Sequence, residues 1–273
     1  MDEPGGRTRL GEWRRLADGV HVLVAEPDTV NLVVVAGADG ALVVDTGSSV
    51  AQGAELRTAA ASVTAAPVVA AVVTHGHRDH VGGLGAFADL TTYGHETLTG
   101  PAGEPGPSRA IAVAAALDLG GRRVEVAHLG RGHTGGDLVV VVPDADLVLA
   151  GDLVESAGPP WWGEDSFPHE WPATLDSLVG LMTALTRCVP GPGEPVDREF
   201  VFEARGRVAA VSGEIRRLAE AGVSITDAMA QGSWPYPAEH LAAGLASGYA
   251  AVLTSGGAAP SAPAGGRRTL PLA

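Results

Sequence analysis

The chain has 273 residues, 45% of them hydrophobic, which is ample for the core of one large domain or two small ones. A formal net charge of -14, with pI near 4.9, gives a field that repels polyanions, so nucleic acid is not an expected partner. All 18 basic residues are arginine, which excludes a Schiff-base lysine and a lysine phosphate clamp.

The N-terminal text MDEPGGRTRL lacks the apolar run of a secretion signal. No stretch approaches the roughly 18 uncharged apolar residues of a membrane span. These features predict a cytoplasmic protein with no membrane partner. Residues 1–10 and the Gly/Ala/Pro-rich tail 255–273 read as disordered, leaving one domain over residues 11–254. From His21 to Asp45, β-branched runs separated by Pro-Asp and Ala-Asp-Gly turns predict three antiparallel strands. A helix follows from Val50 to Ala60 with Ser49 as its cap, and then PVVAAVVTH reads as a buried strand. After it come the strand-like LTTYGH, RRVEVAHLG, DLVVVVPD and DLVLAGD. Apolar residues recur at helical spacing from Pro172 to Arg187 and from Gly206 to Gly222, so the C-terminal third reads as helical. Two successive sets of strands, each followed by helices, predict an α/β fold of two sheets packed face to face with helices outside. Cys188, the one cysteine, has apolar neighbours and reads as a buried thiol rather than a nucleophile.

The chemistry concentrates in HGHRDHVGG, where His75, His77, Asp79 and His80 crowd one loop between a buried strand and a helix start. Imidazole suits zinc and related borderline metals, and a turn at Gly76 would let alternate histidines converge on one ion. Two further segments repeat the pattern of apolar strand, glycine turn and single ligand-type side chain: GRGHTGGD with His133, and VLAGDLV with Asp152. His21, His95, His128 and His240 have no such setting and read as packed or exposed side chains.

Taken together, DTG at Asp45–Gly47, THGHRDH at Thr74–His80, GHT at Gly132–Thr134 and GD at Gly151–Asp152 resemble the ordered motifs of the metallo-β-lactamase-fold hydrolases. The resemblance implies an αββα four-layer sandwich with the metal site at one edge of the sheets. It implies that His75, His77 and His133 hold a first zinc ion, that Asp79 and His80 serve a second, and that Asp152 bridges them. Asp45 would orient a ligand from behind. The family's last motif, a Gly-His-Gly, corresponds to VPGPG, which puts Pro192 where a histidine ligand is expected. Three accounts follow: a mononuclear enzyme with Asp79 as general base, a second site completed by Glu194 or His169, or a degenerate member that only binds. The cluster PPWWGEDSFPHEW offers Trp161, Trp162 and Phe167 as an apolar lip over the site, and Arg78, inside the HGHRDH loop, is a candidate to face a substrate anion.

The expected activity is attack of a metal-bound hydroxide on an ester, thioester, lactone or lactam, with a small molecule as substrate. The alternative in a different enzyme class is an iron-dependent persulfide dioxygenase using His75, His133 and Asp152 as a facial triad.

Overall fold

The computed structural model describes residues 8–101 and 105–256, with side chains through residue 254. Alternation of small β-branched residues builds two sheets. The first orders its strands β1 (Arg9–Leu10), β3 (Val20–Glu26), β4 (Val30–Ala36), β5 (Ala41–Val44), β6 (Val68–Val72), β7 (Thr91–His95) and β8 (Arg109–Ile111), and β2 (Arg14–Ala17) pairs with β3. The second orders β13 (Arg187–Pro190), β12 (Leu147–Gly151), β11 (Leu138–Val142), β10 (Arg123–His128) and β9 (Ala114–Asp118). Early strands run antiparallel through β5, whereas β5 to β8 are parallel to one another.

Period-two patterning assigns each strand two faces. Val22, Val33, Val35, Leu42 and Val44 point between the sheets and meet Val126, Leu138, Val140, Leu149 and Val189. The opposite face of the first sheet, with Leu23, Leu32 and Val34, packs on Leu56 and Ala60 of helix α1 (Val50–Ala60). The outer face of the second sheet, with Val148 and Cys188, is covered by α3 (Trp171–Leu181), α4 (Arg198–Glu220), α5 (Ile225–Gln231) and α6 (Ala238–Gly256). Four layers in the order helix, sheet, sheet, helix result, as the sequence motifs implied. Helix α1 has its expected bounds, and Ser49 caps it by accepting from the Gln52 amide.

Several boundaries differ from expectation. Arg9–Leu10, placed in a disordered N-terminus, form β1 and pair with Ala25–Glu26; residues 1–7 and 257–273 lie outside the described residues. The helix expected to run from Pro172 to Arg187 ends at Leu181, where Thr186 Oγ1 accepts the Thr183 amide in a local turn, and Arg187–Pro190 become β13. The helix expected at Gly206 starts instead at Arg198, because Asp197 accepts the Phe200 amide as its cap.

The VPGPG segment that ends β13 is stitched to the first sheet. Asn31, nearly fully buried on β4, donates its amide to Gly191 O at 2.8 Å and its side chain to Pro190 O and Gly193 O at 3.0 and 2.7 Å. Gly193 takes a φ of 109°, and a Cβ on Gly191 would overlap Asp152 Oδ1. The turn is therefore shaped around Asp152. Asn31→Ala strips the side-chain donor from two carbonyls and is expected to lower the unfolding free energy by about 1–3 kcal/mol, read by urea denaturation.

Candidate metal centre

The sheet edge where β5, β6 and β12 end gathers the candidate ligands. Strand β6 delivers Thr74 and His75, the short α2 (Arg78–Val81) carries Asp79 and His80, the turn before β11 carries His133, and β12 ends at Asp152. One ligand atom from each of His75, His77, His133 and Asp152 lies within 4.8 Å of the others, and Asp79, His80 and Asp152 form a second such group. Asp152 faces both: Oδ2 stands 3.6 Å from His133 Nε2 and 3.9 Å from His75 Nε2, and Oδ1 stands 3.1 Å from His80 Nε2.

Backbone and carboxylate partners fix which nitrogen of each ring faces inward. His133 Nδ1 donates to Trp161 O at 3.1 Å, His77 Nε2 donates to Asp165 Oδ2 at 3.0 Å, and His80 Nδ1 donates to Asp45 Oδ2 at 2.8 Å. The opposite nitrogens then turn toward the cluster, where His133 Nε2 and His77 Nδ1 oppose each other at 2.8 Å. His75 Nε2 is buried with no hydrogen-bond partner among the described residues, and His80 Nε2 and Asp152 Oδ1 are buried facing each other at 3.1 Å. Buried lone pairs left like this are costly unless a cation or proton sits among them. This donor set, three imidazoles and a carboxylate beside an imidazole and two carboxylates, fits zinc or a similar divalent ion.

Electrostatics agree with that reading. Burial, helped by the neighbouring imidazoles, holds His75 well below the usual imidazole range, and burial takes His133 down to about 4 despite Asp152, so both are neutral donors at neutral pH. Burial also disfavours charge on His80, but Asp152 and Asp45 outweigh it and raise the group well above its ordinary value; at His77 burial is likewise outweighed, chiefly by Asp165, and the group is raised. Protons thus take the positive charge that the carboxylates demand, and a bound metal would displace them.

Asp45 is the hub behind the ligands. At a φ of 61°, it accepts the Thr74 amide at 2.8 Å and the Thr74 hydroxyl while holding His80. Gly76 has ordinary backbone geometry and room for a Cβ beside Leu98 at 3.5 Å, so it is not the sterically required pivot that the spacing suggested.

Other candidates fall elsewhere. Glu194 is exposed and pairs with Arg14 at 2.7 Å, and both nitrogens of His169 are engaged, Nδ1 with Ser212 Oγ at 2.9 Å and Nε2 with Gly248 O at 3.1 Å; neither residue belongs to the cluster. Trp162 is not part of a lip: it is 1% exposed and packs on Trp171 with ring centroids 4.7 Å apart. Trp161 stays exposed beside His133, while Phe167 is half-buried under the Arg131 guanidinium. Arg78 is tied to Asp28 at 3.2 Å. Burial pushes the Cys188 thiol up to about 12, in keeping with a packing role. Three residues not foreseen from sequence support the site. Asp165 holds His77, Glu155 accepts the Trp161 amide at 2.8 Å, and Asp137 accepts both the amide and hydroxyl of Thr134, next to His133. Only Asp137 left a trace, as the last residue of the GHTGGD turn.

Known proteins match this architecture. The family model of the metallo-beta-lactamase superfamily matches residues 25–189, and the chain belongs to that superfamily. It is 27% identical over 138 residues to a type 2 metallo-beta-lactamase of Bacillus sp. (strain 170), covering 48% of this chain and 54% of that protein. A stretch of 90 residues is 38% identical to hydroxyacylglutathione hydrolase of Pseudomonas aeruginosa (strain LESB58), covering 32% and 33%. The chain thus spans about half the length, or less, of these relatives. A metallo-beta-lactamase structure from Pontibacter korlensis superposes with a TM-score of 0.64 at 21% identity, over 74% of this chain and 99% of that one. Among the described residues no helix is long and apolar enough to cross a membrane. For a metal held by this cluster, Asp45→Ala is expected to weaken zinc binding about 10- to 100-fold in a competition titration against a chromophoric chelator.

Proposed function

We propose that the protein is a zinc-dependent hydrolase of a carbonyl substrate, an ester, thioester, lactone or lactam, working with one firmly held ion. The convergence of ring nitrogens from His75, His77 and His133 on Asp152, with His75 Nε2 buried and without a hydrogen-bond partner among the described residues, is the observation that carries this reading. Those four residues would hold the ion, which when bound supplies Lewis acidity and makes water a better nucleophile. One relative is named as a metallo-beta-lactamase and another as a hydroxyacylglutathione hydrolase, which supports the reaction class.

The second group is poorer. Asp79, His80 and Asp152 are in place, but the turn that would add another donor presents Pro192, whose carbonyl accepts from the Ser156 amide at 3.1 Å. Burial pushes the Asp79 carboxyl up, yet the hydrogen bond and charge of His80 outweigh it and hold the group at about 2. So low a value makes Asp79 a weak base. Its role is to orient the attacking water by accepting a hydrogen bond, and it serves as general base only to the extent that His80 loses its charge. Participation of His77 in the first group favours three histidines over the His75, His133 and Asp152 triad of a mononuclear iron oxygenase.

Elemental analysis of purified protein tests the metal count. The wild type is expected to retain about one tightly bound zinc and Pro192→His a second. Glu194→Ala and His169→Ala should retain the wild-type content, since their side chains point elsewhere. Two tight ions in the wild type would contradict the mononuclear reading.

A further inference from the structure

Beside the first group lies a cavity of about 200 Å³, whose wall includes Gly76, Thr97, Thr99, Thr134 and Asp165. Gly76 separates His75 from His77, Thr134 follows His133, and Asp165 on the wall bonds His77 at 3.0 Å, so the space adjoins the metal group. Among the described residues Asp165 is the wall's one charged group. Its side chain is 57% exposed, with one oxygen taken by His77. The Thr134 hydroxyl spends its proton on Asp137 Oδ1 at 2.7 Å and so adds no donor to the cavity.

Positive charge that might receive an anion is committed elsewhere. The chain contains no lysine. The two arginines adjoining the histidines in sequence have carboxylate partners: Arg78 pairs with Asp28, and Arg131 binds Glu170 through two bonds of 2.8 and 2.6 Å while its guanidinium lies 4.3 Å from the Phe167 ring centroid. Among the described residues Asp165 is the charged side chain on the cavity wall, and so the charge that a substrate entering this space meets first.

We infer that this cavity is a substrate subsite that selects cationic or uncharged groups over carboxylates, with Asp165 as the specificity-determining residue. The inference rests on the hydrolase reading for its catalytic expression, but the binding preference stands on the cavity itself. It assigns the substrate a class: a carbonyl compound whose portion beside the scissile bond bears an ammonium, a hydrogen-bond donor or an alkyl chain. Discrimination acts through one partly screened charge, so an effect of about tenfold is expected rather than absolute exclusion.

The test uses zinc-loaded full-length protein and matched para-nitrophenyl acyl esters whose acyl chains end in trimethylammonio, methyl or carboxylate groups. The corresponding non-hydrolysable amides are titrated by tryptophan fluorescence. The expected order is cation over methyl over carboxylate, with about tenfold in kcat/KM and in amide affinity between the extremes. Asp165→Asn should bring that ratio toward one. Because Asp165 also holds His77, the variant will lose some zinc affinity; ratios taken within each protein at measured zinc content remove that effect. Preference for the carboxylate, or a ratio unchanged in Asp165→Asn, would overturn the inference. Hydrolysis of none of the esters with the amide order retained would overturn the hydrolase reading alone.

Discussion

Buried lone pairs that face one another govern this structure. His133 Nε2 and His77 Nδ1 meet at 2.8 Å, His75 Nε2 lies beside them with no hydrogen-bond partner among the described residues, and His80 Nε2 faces Asp152 Oδ1 at 3.1 Å. A folded protein tolerates such an arrangement only if positive charge occupies the space between the donors. The surrounding shell enforces the arrangement, because Asp45, Asp165 and the Trp161 carbonyl each hold the outward nitrogen of a ring. Rotation of any one ring would break a short hydrogen bond, so the donors are kept inward before any ion arrives.

The loop after β12 carries much of this support. Its Trp161 carbonyl and Asp165 carboxylate hold two of the three first-group histidines, the Phe167 amide donates to Gly132 O at 2.8 Å, and Trp171 lies under His133 with ring centroids 5.7 Å apart. Glu155 in turn anchors the Trp161 amide. The segment that looks like an aromatic lip is thus mainly a brace, with Trp161 left exposed at its outer side. Bracing and substrate contact are combined at Asp165, which touches a histidine with one oxygen and borders the adjoining cavity.

What could be read from the sequence follows from the range of each interaction. Strand alternation, the Ser49 cap and the strand-then-glycine setting of His75, His133 and Asp152 are local patterns, and the structure keeps them. The brace was not legible, because Asp165 meets His77 across 88 residues and nothing in its immediate text marks it. Glu194 shows the converse error: closeness to the missing ligand in sequence does not fix direction, and past Gly193 the chain turns the side chain out to Arg14. Trp161 and Trp162 are adjacent, yet one is exposed and the other packs into the core, a division that depends on the position of α3 and not on composition.

Pro192 belongs to the same account. The turn serves Asp152, with Gly191 packed against its carboxylate and Asn31 fastening the flanking carbonyls, while Pro192 between them brings no side-chain donor. A site preorganised for one ion and incomplete for a second is the central claim. Anomalous diffraction at the zinc edge, from crystals equilibrated with limiting zinc, tests it most directly. The account predicts a single peak bounded by His75 Nε2, His77 Nδ1, His133 Nε2 and Asp152 Oδ2, whereas a peak of equal height between Asp79 and His80, or none at the histidines, would contradict it.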